Sequence, residues 1–168
     1  MLRDGRSLRV YDSGGDPGHT VLFHAGSPHT GELLEPLLRL ARQHGVRLLG
    51  YARPSYGGST PQPGRTVASA AADVAELAAA LDLRRFAVLG YSGGGPHALA
   101  CAARLPDRVA AVACLAGVAR TAASPTGMPA CGLPVGCKPR PGAGRPAPNM
   151  PAPRSSIRRS SWPPTGRR

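Results

Sequence analysis

The last 48 positions of this 168-residue chain contain no acidic residue, and aromatic side chains are scarce throughout it. The net charge of +12 invites a nucleic-acid reading, but it is unevenly spread. Residues 1–120 hold 13 Arg against nine acids, a net of +4, and residues 121–168 hold seven Arg, one Lys and no acid, a net of +8. The excess belongs to a tail and says little about a folded part. Aromatics make up 4% of the chain, so any core is built from Ala, Leu and Val. Trp162 is the tail's one aromatic, and Arg158-Arg159 and Arg167-Arg168 are short pairs. Stacking platforms for bases are therefore absent, and no specific nucleic-acid partner is expected. None of the four cysteines falls in a CxxC pair, which excludes a zinc site, and no metal or cofactor is implied. Cys101 and Cys114 lie in Ala-rich surroundings and read as buried thiols. No apolar run is long enough to span a bilayer, and Met1-Leu2-Arg3-Asp4-Gly5 opens without an apolar leader core. The expectation is a soluble cytoplasmic protein with no membrane partner.

Up to about Ala119 there is one domain's worth of alternating pattern. Arg9-Val10-Tyr11, Thr20 to His24, Val46 to Tyr51, Phe86 to Leu89 and Val109 to Leu115 read as strands. Leu33 to Gln43 reads as a helix with Pro36 in its first turn and Gly45 as its left-handed stop. Thr66 is expected to cap a helix running to Leu81, with Val67, Val74, Leu77, Ala78 and Leu81 on one face. Gly93 to Arg104 reads as a third helix. Apolar strands without polar alternation suit a parallel sheet covered on both faces. The pattern predicts an α/β fold of three layers over residues 1–119. Residues 120–168 hold 11 of the 19 prolines and no apolar period, and are expected to be disordered.

Gly90-Tyr91-Ser92-Gly93-Gly94 matches G-x-S-x-G, follows the strand Phe86-Ala87-Val88-Leu89, and opens an Ala-rich helix. A strand–turn–helix setting is what a nucleophile elbow requires. The small residues Gly90 and Gly94 let the backbone pass close to its neighbours, and the Ser92 hydroxyl would stand above a helix N-terminus. The spacing is neither G-x-G-x-x-G nor a P-loop. His24-Ala25-Gly26-Ser27-Pro28 follows another buried strand and can aim a backbone N–H at the same point. Acyl transfer needs two donors at the oxyanion, and Ser27 and Gly93 are the candidates.

Three segments together resemble the α/β-hydrolase fold superfamily, near small bacterial hydrolases of the iminopeptidase, esterase and haloperoxidase-like type. They are Leu22–Pro28, Gly50–Ser59 (Gly-Tyr-Ala-Arg-Pro-Ser-Tyr-Gly-Gly-Ser) and Leu89–Ala98, and the resemblance covers residues 6–119. It implies a serine hydrolase acting on a small-molecule ester, amide or related bond, with Ser92 as nucleophile and the loop Arg53–Ser59 shaping the entrance. The usual His-Gly pair is Ala25-Gly26 here, and Ser55 stands where Gly is usual, but neither change removes a backbone donor. A serine at the elbow speaks against the dehalogenase and epoxide-hydrolase branches, which place Asp there.

The reaction also needs a base and an acid that orients it, in the chain order Ser, acid, His. After Ser92 the sequence offers only Asp107 and His97. Asp107 reads as a turn residue at the wrong end of a strand, and His97 as a local cap. His24 has no acid to orient it, and His19, His29 and His44 read as surface residues. No catalytic acid or base is assigned. Read one nucleotide out of phase, GC-rich codons for the stretch after Ala119 can encode a family-like string. A frameshift near that position, which leaves the hydrolase impaired, is the expectation. The strand Val109–Leu115 would then be an open edge, prone to self-association. The alternative is a non-catalytic binding fragment or pseudo-hydrolase with a basic tail.

Overall fold

Parallel strands cannot be joined by tight turns, so each crossover must carry a helix over a face of the sheet. The chain does this three times in a computed structural model that describes residues 1–119, Ala130–Cys131 and Arg159–Ser161. In chain order the elements are β1 (Val10–Asp12), β2 (Thr20–His24), α1 (Glu35–Gln43), β3 (Arg47–Tyr51), α2 (Ser69–Ala80), β4 (Phe86–Tyr91), α3 (Gly95–Arg104) and β5 (Val109–Leu115). The short strands β6 (Val118–Ala119) and β7 (Ala130–Cys131) pair with each other, and β8 (Arg159–Ser161) runs parallel to β1. The main sheet has the order β5-β4-β2-β3-β1-β8. Its centre is parallel, and β1 is antiparallel to β3. This is the expected α/β fold with a mostly parallel sheet. Of the segment 120–168, expected to be disordered, only the short strands β7 and β8 are described; the rest lies outside the described residues.

From β2 the chain moves one way to β3, then crosses back over β2 to β4. Crossovers of one hand in opposite directions put α1 on one face and α2 and α3 on the other. The face under α2 and α3 holds the main core, where Leu22, Leu49, Val74, Leu77, Leu83 and Val88 have lost nearly all contact with solvent. The α1 face holds a smaller cluster of Phe23, Ala25, Ala41 and Leu48. One helix cannot cover five strands. Among the described residues that face is open over β5 and the end of β4: Tyr91, Ala111, Ala113 and Leu115 are exposed, whereas Leu89 packs against the smaller cluster. Among the described residues the three-layer arrangement therefore holds over β2, β3 and most of β4, and the expectation of a sheet covered on both faces is corrected over β5.

Two helix ends show how local chemistry sets the frame. Pro36 sits in the first turn of α1, where its missing N–H costs nothing. At the other end Gly45 takes φ +63°. Val46 N–H then reaches the Ala41 carbonyl at 2.8 Å and Gly45 N–H the Arg42 carbonyl at 3.3 Å, a Schellman closure. Helix α2 departs from its expected start. It begins at Ser69, and Thr66 supplies its carbonyl to Ser69 N–H at 3.2 Å instead of capping with its hydroxyl. Val67 accordingly lies outside the helix and is exposed.

Candidate active site

Strands β2 and β4 are neighbours, and their register pairs His24 with Gly90. Both strands therefore end at the same level, and the loops that leave them start side by side. This is the crevice at the carboxyl ends of the strands, next to the point where strand order reverses. Everything placed at the site follows from that register.

The turn after β4 is tight. Tyr91 is still extended, Ser92 takes φ +49°, and Ser92–Gly94 form a 3₁₀ turn that feeds α3. A left-handed serine costs on the order of 1–2 kcal/mol, so the surroundings must hold it there. A Cβ on Gly90 would lie 2.7 Å from Gly95 Cα, and one on Gly94 would collide with the His24 carbonyl. Ser92 is half-buried, while Tyr91 points to solvent. The hydroxyl stands at the N-terminal end of α3, where the backbone field favours negative charge.

The loop after β2 comes close to this turn. A Cβ built on Gly26 would be 3.2 Å from Ser92 Cβ, and one on Gly93 would be 3.3 Å from the Ser27 nitrogen. Among the described residues the Ser27 N–H has no acceptor, and neither does the Ser92 hydroxyl have a hydrogen-bond partner. The structure thus brings together Ser27, Ser92 and Gly93 and leaves one amide and one hydroxyl free beside each other. It brings no base to them. His97 is half-buried and uses Nδ1–H on the Gly93 carbonyl at 3.1 Å. Burial, then the Arg53 cation, hold its pKa below the ordinary value. His24 is fully buried against the His97 and Tyr51 rings, with Nε2 3.5 Å from Cys101 Sγ. Burial first, then His97 and Arg53, push its pKa down to about 3, so it is neutral and faces inward. Burial raises the Cys101 thiol to about 12, so the Cys–His contact holds no thiolate. Asp107 lies exposed in the turn before β5, at the opposite end of the sheet from Ser92.

Two residues at the site, Asp73 and Arg53, make contacts that a reading of the sequence does not give. Asp73 on α2 is buried and paired with Arg6 at 2.6 Å. It lines a cleft with Tyr51, Arg53, Arg65 and His97, of which Ser92 is not a wall. Arg53 is buried and spends its guanidinium on the loop 25–27. Its sequence signal is its place in the Gly50–Ser59 segment, two positions after the end of β3. Among the described residues no group of three His, Cys, Asp or Glu is placed to hold a metal, and no helix is long and apolar enough to cross a membrane.

A family model described as the alpha/beta hydrolase fold matches residues 19–130. A non-heme chloroperoxidase from Streptomyces lividans is 33% identical over 132 residues, which is 75% of this chain and 48% of that protein. A hydrolase from Pseudomonas aeruginosa superposes with a TM-score of 0.64 at 27% identity, covering 73% of this chain and 46% of that one. An esterase from Exiguobacterium antarcticum gives 0.61 at 25% identity, covering 69% and 43%. The chain spans about half the length of these relatives.

Proposed function

The chain belongs to the alpha/beta hydrolase fold family, and on that basis we propose that Ser92 is the nucleophile of an acyl-transfer hydrolase. The substrate is a small molecule with an ester, amide or related acyl bond. The Ser92 oxygen attacks the acyl carbon, and the carbonyl oxygen takes up the negative charge. Ser27 N–H and Gly93 N–H are the donors for that oxyanion, as the proximity of the two backbones supports. Collapse expels the leaving group and leaves an acyl-serine, which water then opens.

The hydroxyl proton is the difficulty. Among the described residues no imidazole reaches Ser92, and beyond it the sequence holds one acid and one histidine, both accounted for. The proton must go to solvent, so turnover by this chain is very slow. In serine proteases stripped of the triad, the oxyanion hole and binding still give about 10³–10⁴-fold over water. The observation that carries the reading is Ser92 at φ +49° on the turn between β4 and α3, beside the free amide of Ser27.

An irreversible fluorophosphonate tests it, because even slow phosphonylation accumulates over hours. The purified protein is expected to gain one label, located on the Ser92 peptide, and Ser92→Ala none. Steady-state hydrolysis of p-nitrophenyl acetate should match that of Ser92→Ala. Equal labelling of wild type and Ser92→Ala would remove Ser92 from the chemistry, and rapid Ser92-dependent turnover would show that a base is supplied after all.

A second reading rests on β5, which ends the main sheet and exposes Ala111, Ala113 and Leu115. An open apolar strand edge is a template for pairing with another chain. On this reading the protein self-associates through β5.

A further inference from the structure

Arg53 is buried at 5% exposure, and among the described residues no carboxylate faces its guanidinium. Burying an unpaired cation is expensive, and such a group is retained only where its donors are well used. Nη1 donates to the Ala25 carbonyl at 2.6 Å; Nη2 donates to the Gly26 carbonyl at 3.3 Å and to Ser27 Oγ at 3.1 Å. All three acceptors belong to one loop, the one that carries the Ser27 amide. Tyr56 lies across the guanidinium, with its ring centre 5.7 Å away. Arg108 also donates to two carbonyls, those of Ala75 and Leu83, but these lie on separate elements away from the site.

The geometry points to Arg53 as the positioning residue of the oxyanion loop, and this rests on the reading of Ser92 as nucleophile. A trans peptide is planar, and its C=O and N–H point in opposite directions. The Gly26 carbonyl and the Ser27 N–H share one such plane. Arg53, helped by His29 N–H at 3.2 Å, holds the Gly26 carbonyl on one side. The Ser27 N–H is thereby turned to the other side, where Gly93 and Ser92 lie. Without the guanidinium the plane can rotate and present the carbonyl oxygen, which would repel an oxyanion. The Ala25 carbonyl is held back in the same way. A forked donor is needed because one head must serve adjacent peptides, and a lysine ammonium cannot span them with the same geometry.

The test compares Arg53→Met and Arg53→Lys with Arg108→Met, which loses carbonyl bonds elsewhere. Residual dipolar couplings in ¹⁵N-labelled protein report the direction of each N–H. In Arg53→Met the Ser27 coupling should change well beyond the spread of the β2 and β4 amides, and Ser92 labelling by the fluorophosphonate should slow about tenfold. Arg108→Met should lower the unfolding midpoint and leave the Ser27 coupling and the labelling rate within twofold. If Arg53→Met fails to fold, Arg53→Lys decides on the same two readouts, with a smaller change expected. An unchanged Ser27 coupling in the Arg53 variant that folds would overturn the proposal. If the wild type shows no Ser92-dependent label, the nucleophile reading is lost, and the Ser27 coupling alone still decides whether Arg53 orients the loop.

Discussion

A buried neutral histidine makes the molecule sensitive to acid. Burial holds the His24 ring at about 3, against an ordinary value of 6.5. Between those values the unfolded chain binds a proton that the folded chain refuses. Stability is therefore lost as pH falls from about 6.5 toward 3. Urea unfolding at pH 7 and pH 5 should give a lower midpoint at pH 5, and His24→Gln should flatten that difference. A second residue-scale prediction concerns Gly94. A methyl group there meets the His24 carbonyl, which is backbone and cannot swing aside. Gly94→Ala should cost about 1–3 kcal/mol or more, read from chemical denaturation, and should abolish Ser92 labelling because the turn must shift.

At the scale of elements, the best-defined helix end is that of α1. Gly45 is left-handed with open space around a would-be Cβ, so Gly45→Ala is penalised by conformation alone, by about 1–2 kcal/mol. Leu77 on α2 is buried in the main core, and Leu77→Ala should cost about 2–5 kcal/mol in the same measurement. What the sequence disclosed, and what it hid, divides along the same line. Pro36, Gly45 and the Gly90–Gly94 turn were readable because each acts through its immediate neighbours. The start of α2 is not legible in this way, because Thr66 looks like a hydroxyl cap, whereas its carbonyl makes the contact. Arg53 was not readable as a loop support, since its acceptors lie 26 to 28 residues upstream and meet it only after β2 and β3 pair. The open face over β5 is hidden too. Apolar strands look alike in sequence whether or not a helix has reached them.

For the whole molecule, the exposed strand β5 and the charge excess predict two separate behaviours. Sedimentation velocity should show self-association that rises with concentration, and Leu115→Lys on the exposed face should weaken it. A monomer at all concentrations would count against the edge reading. Retention on a polyanion column should instead fall steeply with salt, and Leu115→Lys, which adds one positive charge, should not weaken it, because it reflects the net charge of +12.

The pairing of His24 with Gly90 has a consequence beyond this chain's own chemistry. On the proposed reading, two adjacent strands joined within the first 94 residues place the donors for an anionic intermediate. Moving protons is a separate task that this pairing does not address. On the same reading, the part that tolerates charge assembles from the first 94 residues without a catalytic base. An external amine base small enough to enter should raise the acylation rate of the existing fold without refolding it.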